Sequence, residues 1–505
     1  MNTRKIALIT LLLQLAIFVK AQYQTQTCDK GADYYMNPIF GGDYPDPSIM
    51  RDGDTYYMVH SSFDYYPGLL IWKSKDLINW TPVTAALHKY IGSVWAPDIV
   101  KYKGKYYIYF PANDKIYVVT ADSINGPWSD PVDLNINSID PGHVADEKGK
   151  RFLYFNSGGY VPLSDDGLSV TGELKHVYDG WRIPSDWSIE LFALEGPKLN
   201  KRGGYYYLTV AEGGTAGPAT GHMIISARSK SPFGPWENSP YNPLVRTASK
   251  SERWWSKGHG TLLEDTKGSW WIVFHGYEKD YLNMGRQTLI EPVEWTNDGW
   301  FRIPEGIKTE NPIKRPSATT SKSIFSLSDD FSGKSLGLQW KFFGEYDTTR
   351  FHFMDKCLVV KGKGGYVGNC SPLLCVSSDH SYTAEVEMDI EGNAIGGLVM
   401  FYNSTAFSGI LADKENILTN LRGWQFASNK NVIKKHVYLR LKNIENTVDM
   451  FYSTDGVKWN KIESSIEVSS LNHNSLSGFL SLRIGLCSIG DGSVKFKNFK
   501  YQPIK

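Results

Sequence analysis

Cysteine and long hydrophobic runs are both scarce in this chain of 505 residues. Four of its five cysteines, Cys357, Cys370, Cys375 and Cys487, lie in the last third. Their spacing matches no metal motif, so disulfides in an exported protein and free buried thiols are both open. No stretch after residue 21 is apolar enough to cross a bilayer, which leaves the N-terminus as the one candidate span.

Concentrated charge of one sign is also missing. The chain has 54 Lys and Arg against 53 Asp and Glu, a net charge of +1, and no dense basic block. Nucleic acid and acidic membranes are therefore not expected as partners. Aromatic residues, in contrast, are abundant, with 30 Tyr, 23 Phe and 16 Trp. A surplus of them at strand ends would suit stacking on a carbohydrate substrate.

Residues 1–21 are typical of a secretion signal. Arg4 and Lys5 precede a largely apolar run over 6–19, and Val19-Lys20-Ala21 resembles a cleavage site. A membrane anchor is the alternative, although the run is shorter than the ~20 residues of a comfortable span. We therefore expect a secreted or periplasmic protein with a cleaved signal.

A fivefold repeat runs through residues 33–304. Each unit has a polar or charged residue, a short apolar run, a glycine-containing turn and paired aromatics. The first aromatics fall at positions 56, 106, 152, 205 and 270, so the spacings are 50, 46, 53 and 65 residues. Such periods, with turn signals between the runs, are typical of propeller blades. We predict an all-β chain that begins with a five-bladed β-propeller.

The pattern changes beyond the propeller. Residues 305–323 carry prolines and a Ser/Thr cluster, which predicts a linker. From 324 to 505, short segments alternate polar and apolar residues with period two, and Asp455-Gly456 predicts a hairpin turn. This pattern indicates a β-sandwich as the second domain.

Each predicted blade begins with a candidate functional side chain. If the first strand of every blade lines the central channel, these side chains gather at one end of the axis. They are Asp46, Asp98, Asp140, Glu195 and His259. Carboxylates held close together raise one another's pKa, so this clustering is costly and indicates acid–base chemistry. For Asp98 a turn-capping role is an equal alternative.

Asp46 is flanked by two prolines in Tyr44-Pro45-Asp46-Pro47-Ser48. Proline fixes its own φ and biases the preceding residue toward extended backbone. We therefore expect a rigid, extended segment that holds the Asp46 carboxylate in place, as acid–base chemistry requires.

Seven motifs, taken in order, resemble glycoside hydrolase family 43, whose five-bladed propeller enzymes trim xylan and arabinan side chains. The resemblance covers residues 33–304, and the later residues resemble the concanavalin-like (jelly-roll) sandwich of the family's β-xylosidases. The motifs are Tyr44-Pro45-Asp46-Pro47-Ser48, Trp95-Ala96-Pro97-Asp98, Ser138-Ile139-Asp140-Pro141, Glu195-Gly196-Pro197, Ala211-Glu212-Gly213-Gly214-Thr215, Gly258-His259-Gly260 and Gly285-Arg286-Gln287-Thr288.

The resemblance implies an inverting hydrolase with three carboxylates. Asp46 would be the general base, Glu195 the general acid, and Asp140 the residue that orients Glu195 and raises its pKa. An inverting enzyme keeps acid and base ~6.5–9.5 Å apart to admit a water. Phe63 and Trp95 would form hydrophobic walls around the terminal sugar.

Two further residues have competing interpretations. Arg286 resembles an arginine that contacts substrate hydroxyls, and a surface salt bridge is its alternative. His259 matches a histidine that in some relatives supports a calcium ion with bound waters, and a hydrogen-bonded core histidine is equally acceptable. No cofactor is expected to be required. After Asp140 the chain has Pro141-Gly142-His143-Val144 where many relatives carry serine and an aromatic residue, so the shape of that subsite is open.

These features predict a secreted exo-glycosidase that releases β-D-xylose or α-L-arabinofuranose from plant polysaccharides or oligosaccharides. An endo-acting arabinanase with an open groove and a non-catalytic carbohydrate-binding protein on the same fold are the alternatives. The sandwich is expected to pack on the propeller and complete the pocket, with a separate sugar-binding module as the other hypothesis.

Overall fold

The computed structural model describes residues 33–316, 325–430 and 435–504. The predicted signal over 1–21, Cys28 and part of the predicted linker lie outside these residues. Within them β-structure dominates, and the helical elements are a four-residue α-helix, His473–Leu476, and four 3₁₀ turns, Asn156–Gly158, Leu282–Met284, Thr348–Arg350 and Val367–Asn369. No helix in the described part of the chain has the length and apolarity to span a membrane.

The strands up to residue 316 are short and separated by tight turns. They are β1 (Tyr34–Tyr35), β2 (Ser48–Asp52), β3 (Thr55–Val59), β4 (Tyr65–Tyr66), β5 (Gly68–Ser74), β6 (Thr81–Leu87), β7 (Asp98–Tyr102), β8 (Lys105–Ala112), β9 (Lys115–Ala121), β10 (Val132–Asn137), β11 (Gly142–Ala145), β12 (Arg151–Tyr154), β13 (Gly159–Pro162), β14 (Lys175–His176), β15 (Leu194–Arg202), β16 (Tyr205–Glu212), β17 (Met223–Ser229), β18 (Glu237–Asn238), β19 (Val245–Arg246), β20 (Trp254–Glu264), β21 (Trp270–Glu278), β22 (Arg286–Trp295), β23 (Phe301–Arg302) and β24 (Ile313–Lys314).

These strands form the predicted five-bladed propeller. The blades are antiparallel sheets β2-β3-β5-β6, β7-β8-β9-β10, β11-β12-β13-β14, β15-β16-β17-β18 with β19 beside β17, and β20-β21-β22-β23. The first strands contact one another in a closed ring, because β2 meets β7, β7 meets β11, β11 meets β15, β15 meets β20 and β20 meets β2. The start of every first strand therefore opens at the same end of one axis.

The strands after residue 324 form two stacked sheets. They are β25 (Lys341–Phe343), β26 (Phe351–Met354), β27 (Cys357–Lys361), β28 (Leu373–Val376), β29 (Tyr382–Gly392), β30 (Ile395–Asn403), β31 (Ala406–Ala412), β32 (Asn416–Leu421), β33 (Trp424–Lys430), β34 (His436–Ile444), β35 (Thr447–Ser453), β36 (Trp459–Glu467), β37 (Arg483–Ile489) and β38 (Gly492–Pro503). One sheet has the order β33-β32-β31-β30-β37-β28-β25-β4 and the other β26-β27-β38-β29-β34-β35-β36.

The sandwich core follows from the period-two pattern of its strands. In β29 buried residues alternate with half-exposed ones over most of its length, so one face covers the core. The four late cysteines, Cys357, Cys370, Cys375 and Cys487, are buried free thiols. Of the two states that the sequence left open, the structure has the reduced one.

The two domains share a sheet. Strand β4 leaves the first blade and pairs with β25, so that Tyr65 lies opposite Phe343 and Tyr66 opposite Phe342. One cluster of buried apolar side chains continues from Trp72 of the propeller to Trp340 and the centre of the sandwich. Backbone hydrogen bonds and apolar packing therefore both fix the sandwich against the propeller.

Candidate active site

The residues predicted to form the site line one pocket of about 170 Å³ at the end of the propeller axis. Sequence reasoning placed Asp46, Phe63, Trp95, Asp140, Glu195, His259 and Arg286 there, and all seven line it. Four lining residues were not singled out as site residues, namely Ala96, Ile139, Thr215 and Phe479. The pocket is smaller than the ~300–1,000 Å³ usual for larger ligands, so its size suits a single small unit.

Asp46 is held rigidly, although the predicted extended backbone is wrong. Its φ is +55°, and that of Asp140, which also precedes a proline, is +57°. The left-handed region is uncommon outside glycine but accessible to Asp. In this conformation the Asp46 N–H donates to His275 Nδ1 at 3.1 Å. That bond opposes the extended bias imposed by the following proline.

The Asp46 carboxylate is surrounded by donors. Arg286 Nη1 lies 3.0 Å from Oδ1, and the Ser61 hydroxyl donates to Oδ2. Burial alone would favour the protonated form, but Arg286 and then His259 and His275 hold the pKa of Asp46 well below its usual range. Asp46 is therefore an ionised carboxylate at neutral pH, which suits a proton acceptor.

Glu195 lies in the opposite electrostatic environment. It follows the first residue of β15, where a bulge between Glu195 and Lys198 breaks the register with β16. Burial raises the pKa of Glu195, and the negative charges of Asp140 and Asp46 raise it further. Glu195 thus retains its proton above the usual range of a carboxylic acid, which suits a proton donor.

Asp140 interacts with both Asp46 and Glu195. Its Oδ2 accepts the backbone N–H of Gly196 at 3.0 Å, next to Glu195. Burial and the charge of Asp46 raise the pKa of Asp140. Asp140 therefore contacts the residue after Glu195, and its charge raises the pKa of Glu195, while its role in orienting a catalytic acid stays a prediction.

Three histidines lie beneath these carboxylates. His259 Nδ1 is 3.5 Å from Asp46 Oδ1 and 4.0 Å from Asp140 Oδ2. The ring of His275 stacks on that of His222 with centroids 5.4 Å apart. Burial lowers the pKa of His259 and of His275 to about 4, so both rings are neutral at neutral pH.

The side chains beside His259 do not by themselves form a calcium cage, and a calcium ion held there mainly by waters stays a prediction. Calcium takes ~6–8 oxygen ligands, whereas the groups beside His259 are imidazoles and carboxylates already bonded to Arg286 and Gly196. Among the described residues no group of three or more His, Cys, Asp or Glu side chains is arranged to hold a metal. The role of His259 seen here is a contact with both aspartates.

Aromatic rings form the walls of the pocket. Phe63 has φ +47° and bridges to Val94, which turns its ring inward. Phe479 comes from the sandwich, and its ring lies 6.1 Å from that of Trp95 in an edge-on arrangement. The Arg286 guanidinium lies 5.8 Å from the Phe63 ring and 5.2 Å from the Phe479 ring. The second domain therefore completes the pocket, as the scaffold hypothesis expected.

No sequence signal identified Phe479. It follows Ser477 and Gly478, and all three residues have positive φ. Its backbone N–H donates to His473 Nδ1 at 2.8 Å, and the two rings stack 3.8 Å apart. Only the docking of the sandwich brings this turn to the pocket.

Asp98 does not line the pocket. It forms a buried ion pair with Lys198 at 2.7 Å and accepts hydrogen bonds from Ser48 Oγ and the His143 N–H. These contacts join the first four blades near the axis. The structure thus favours a structural role, although by ion pairing between blades and not by capping a turn.

His143, where the sequence departs from its relatives, also lies outside the pocket. Its Nε2 accepts from Arg151 Nε at 3.0 Å, and Arg151 stacks between Tyr102 and Tyr107. The departure therefore affects the packing of blades 2 and 3. Ile139 is the apolar side chain beside Asp140 in the pocket.

An ionised carboxylate and a proton-retaining one in an aromatic-walled pocket on a propeller axis define an acid–base site of the kind found in sugar-cleaving enzymes. Comparison with known proteins agrees. Residues 35–301 match the model of glycosyl hydrolases family 43, and residues 328–502 match the β-xylosidase C-terminal concanavalin A-like domain.

Relatives share this architecture. A β-xylosidase of Bacillus subtilis is 26% identical over 92% of this chain and 99% of its own. A non-reducing end α-L-arabinofuranosidase of Bacteroides ovatus is 33% identical over 61% of each chain. The solved structure of a GH43 protein from Bacillus licheniformis superposes with a TM-score of 0.84 at 26% identity, covering 93% of this chain and 100% of that one. The chain belongs to glycosyl hydrolases family 43 and is a glycoside hydrolase.

Proposed function

We propose that the protein is an inverting exo-glycosidase that removes terminal β-D-xylosyl or α-L-arabinofuranosyl residues from plant polysaccharides or their oligosaccharides. The observation that carries the proposal is the small pocket in which Asp46 and Glu195 have opposite proton affinities. The names of the relatives, a β-xylosidase and an α-L-arabinofuranosidase, support these two sugars.

The reaction follows from the two environments. Protonated Glu195 donates its proton to the glycosidic oxygen as the bond to the leaving group breaks. Ionised Asp46 takes a proton from a water that attacks the opposite face of the sugar, which inverts the anomeric centre. Asp140 keeps the Glu195 proton in place through its charge and holds the Gly196 backbone.

Exo action is supported by the small size of the pocket and by its lining from both domains. Phe479 of the sandwich lies edge-on beside Trp95 of the propeller, and both side chains line the pocket. A chain bound at an internal linkage needs a groove open at both ends, whereas a terminal sugar needs only one opening. The endo-arabinanase alternative is therefore less well supported.

Hydrolysis of paired aryl glycosides tests the proposal. The wild type should cleave β-D-xylopyranoside, α-L-arabinofuranoside or both, and Asp46→Ala should cleave neither at a comparable rate. Proton NMR of the first product should show the anomer inverted relative to the substrate. Retention of configuration would refute the inverting mechanism, and equal activity of Asp46→Ala would refute the assignment of the base.

We also propose that residues 1–21 direct export and are removed. N-terminal sequencing of the protein recovered outside the cytoplasm should begin after Ala21. An intact N-terminus on the exported protein would instead favour the membrane-anchor alternative.

A further inference from the structure

One segment of the sandwich approaches the base side of the pocket from behind. Arg483, the first residue of β37, lies between β28 and β30 in the middle of its sheet. Its Nη2 is 3.5 Å from Asp43 Oδ2 of the propeller, and its guanidinium lies over the Tyr65 ring at 3.4 Å. The side chains of Arg483 and Asp43 are only 6% and 1% exposed. A buried pair of this kind is costly to break from one side.

Asp43 also holds the backbone of Arg286. Its Oδ1 accepts the Arg286 N–H at 3.3 Å, and the Tyr44 N–H donates to the Arg286 carbonyl at 3.0 Å. Gly285 has φ +80°, and a Cβ there would stand 2.3 Å from Asp43 Oδ1. Glycine at 285 thus permits the close approach of Asp43 to this strand.

Arg286 in turn contacts the proposed base, with Nη1 3.0 Å from Asp46 Oδ1. Four buried charges of alternating sign therefore run from the second domain to the reaction centre: Arg483, Asp43, Arg286 and Asp46. Burial raises the pKa of Asp43, and the charges of Arg483 and then Arg286 offset part of that rise. Asp43 accepts the backbone N–H of Arg286, whereas the Arg286 guanidinium donates to Asp46.

We infer that Arg483 is a positioning residue for the hydrolysis, and that it acts through Asp43 to reserve Arg286 for Asp46. The inference rests on the proposed function, because it takes Asp46 to be the base. It gives the sandwich an electrostatic role in catalysis in addition to the wall formed by Phe479.

Other groups near these charges must be considered in any test by pH. Asp46 faces Arg286, Ser61, His259 and His275, with Asp140 and Glu195 across the pocket. Asp43 faces Arg483 and Arg286, and its charge also acts on Tyr44, Tyr65, Tyr277 and Tyr402. Lys341 lies near Arg483, and burial together with that arginine lowers its pKa to about 7.

The test is the acid limb of kcat/KM against pH in Arg483→Met. Without the Arg483 charge, the Asp43 carboxylate attracts the Arg286 guanidinium more strongly. Asp46 then loses part of its stabilisation, and its pKa rises. The acid limb should move to higher pH by about one unit, the low end of what one opposite charge contributes. Arg483→Lys keeps the charge and should stay near the wild type. In the double variant Asp43→Asn/Arg483→Met no competing carboxylate is left, so the acid limb should return to its wild-type position.

Arg440→Met is the matched control. Arg440 also belongs to the sandwich, pairs with Glu385 at 2.7 Å and stacks on Trp459, but it lies in the other sheet and does not line the pocket. Its pH profile should equal that of the wild type. Thermal unfolding of every variant shows whether a change in rate comes with a loss of structure.

Three outcomes would overturn the inference. One is an unchanged acid limb in folded Arg483→Met, and another is a shifted limb that the double variant does not restore. If Arg483→Met does not fold, Asp43→Asn alone decides, because its acid limb should stay at or below that of the wild type, and a rise would contradict the inference. Inactive Asp46→Ala in the same assay shows that the proposed function stands even when the inference fails.

Discussion

The proposed base, Asp46, and the proposed acid, Glu195, are the same functional group in opposite surroundings. Around Asp46 the structure places a guanidinium, a hydroxyl and imidazoles, whereas Glu195 faces two carboxylates. Asp46 is buried and Glu195 is half-buried, so removal from water alone would push the two pKa values in the same direction. The difference shows that the neighbours, more than the burial, decide which carboxylate keeps its proton and which is ionised.

The largest expected effect is a loss of activity that depends on the leaving group in Glu195→Ala but not in Asp46→Ala. Glu195→Ala should reduce kcat by about 10²–10⁴-fold on natural glycosides, because proton donation to the leaving oxygen is lost. On an aryl glycoside with an acidic phenol the loss should be much smaller. Asp46→Ala should be slow on both substrates, since water activation does not depend on the leaving group. Equal losses in Glu195→Ala on both substrates would contradict the acid assignment.

Asp140→Asn should reduce the difference between the pKa values of Glu195 and Asp46. Removing this negative charge takes away a group that raises the pKa of Glu195. Glu195 then loses its proton at lower pH, so the basic limb of the kcat profile should move to lower pH by about one unit. Activity at pH 7 should fall accordingly while the acid limb, set by Asp46, stays in place. A basic limb that does not move would assign Asp140 a purely geometric role.

Phe479→Ala tests the wall that the second domain supplies. Loss of the ring beside Trp95 should raise KM about tenfold, corresponding to ~1.4 kcal/mol of binding, with a smaller change in kcat. Phe426→Ala is a matched control, because Phe426 is an exposed phenylalanine of the same domain. Steady-state kinetics on the better aryl glycoside measures both. An unchanged KM would mean that substrate does not contact this wall.

The smallest effect on the pH profile is expected for a buried carboxylate outside the pocket. Asp98→Asn leaves Lys198 without its ionic partner and should lower the free energy of unfolding by about 3 kcal/mol. Both limbs should stay within half a unit of the wild type. Asp133→Asn, at the more exposed pair with Lys115, should change stability by less than ~1 kcal/mol. Denaturant titration measures the unfolding free energy of both variants, and the same pH series locates their two limbs.

Sequence patterns were sufficient where function depends on residues at the start of repeated strands. Asp46, Asp140 and Glu195 were found because each lies at the start of a blade's first strand, and the ring of first strands then brings them together. His259 lies instead in the middle of β20, where the register with β21 shifts twice. The hairpin at Asp455-Gly456 was likewise predictable, since β35 and β36 flank it. Signals of this kind depend on adjacent residues, so contacts between distant segments do not change what they predict.

The features that were missed depend on contacts between distant segments. The left-handed backbone at Asp46 follows from a bond to His275, 229 residues away. Phe479 reaches the pocket, and Arg483 reaches Asp43 behind it, only because the sandwich docks in one orientation. Asp43 gave no signal, because its partners lie in β22 and β37. Nothing in the neighbouring residues of any of these positions encodes the partner.

The pairing of β4 with β25 has a consequence for how such enzymes can be rebuilt. The two residues of β4 directly follow the turn that carries Phe63, so the outer strand of the sandwich sheet also supports a pocket-lining loop of the propeller. A propeller joined to the sandwich of a relative would have to exchange Tyr65 and Tyr66 together with Phe342 and Phe343. The two domains are separate in sequence, but as parts for recombination they form one unit.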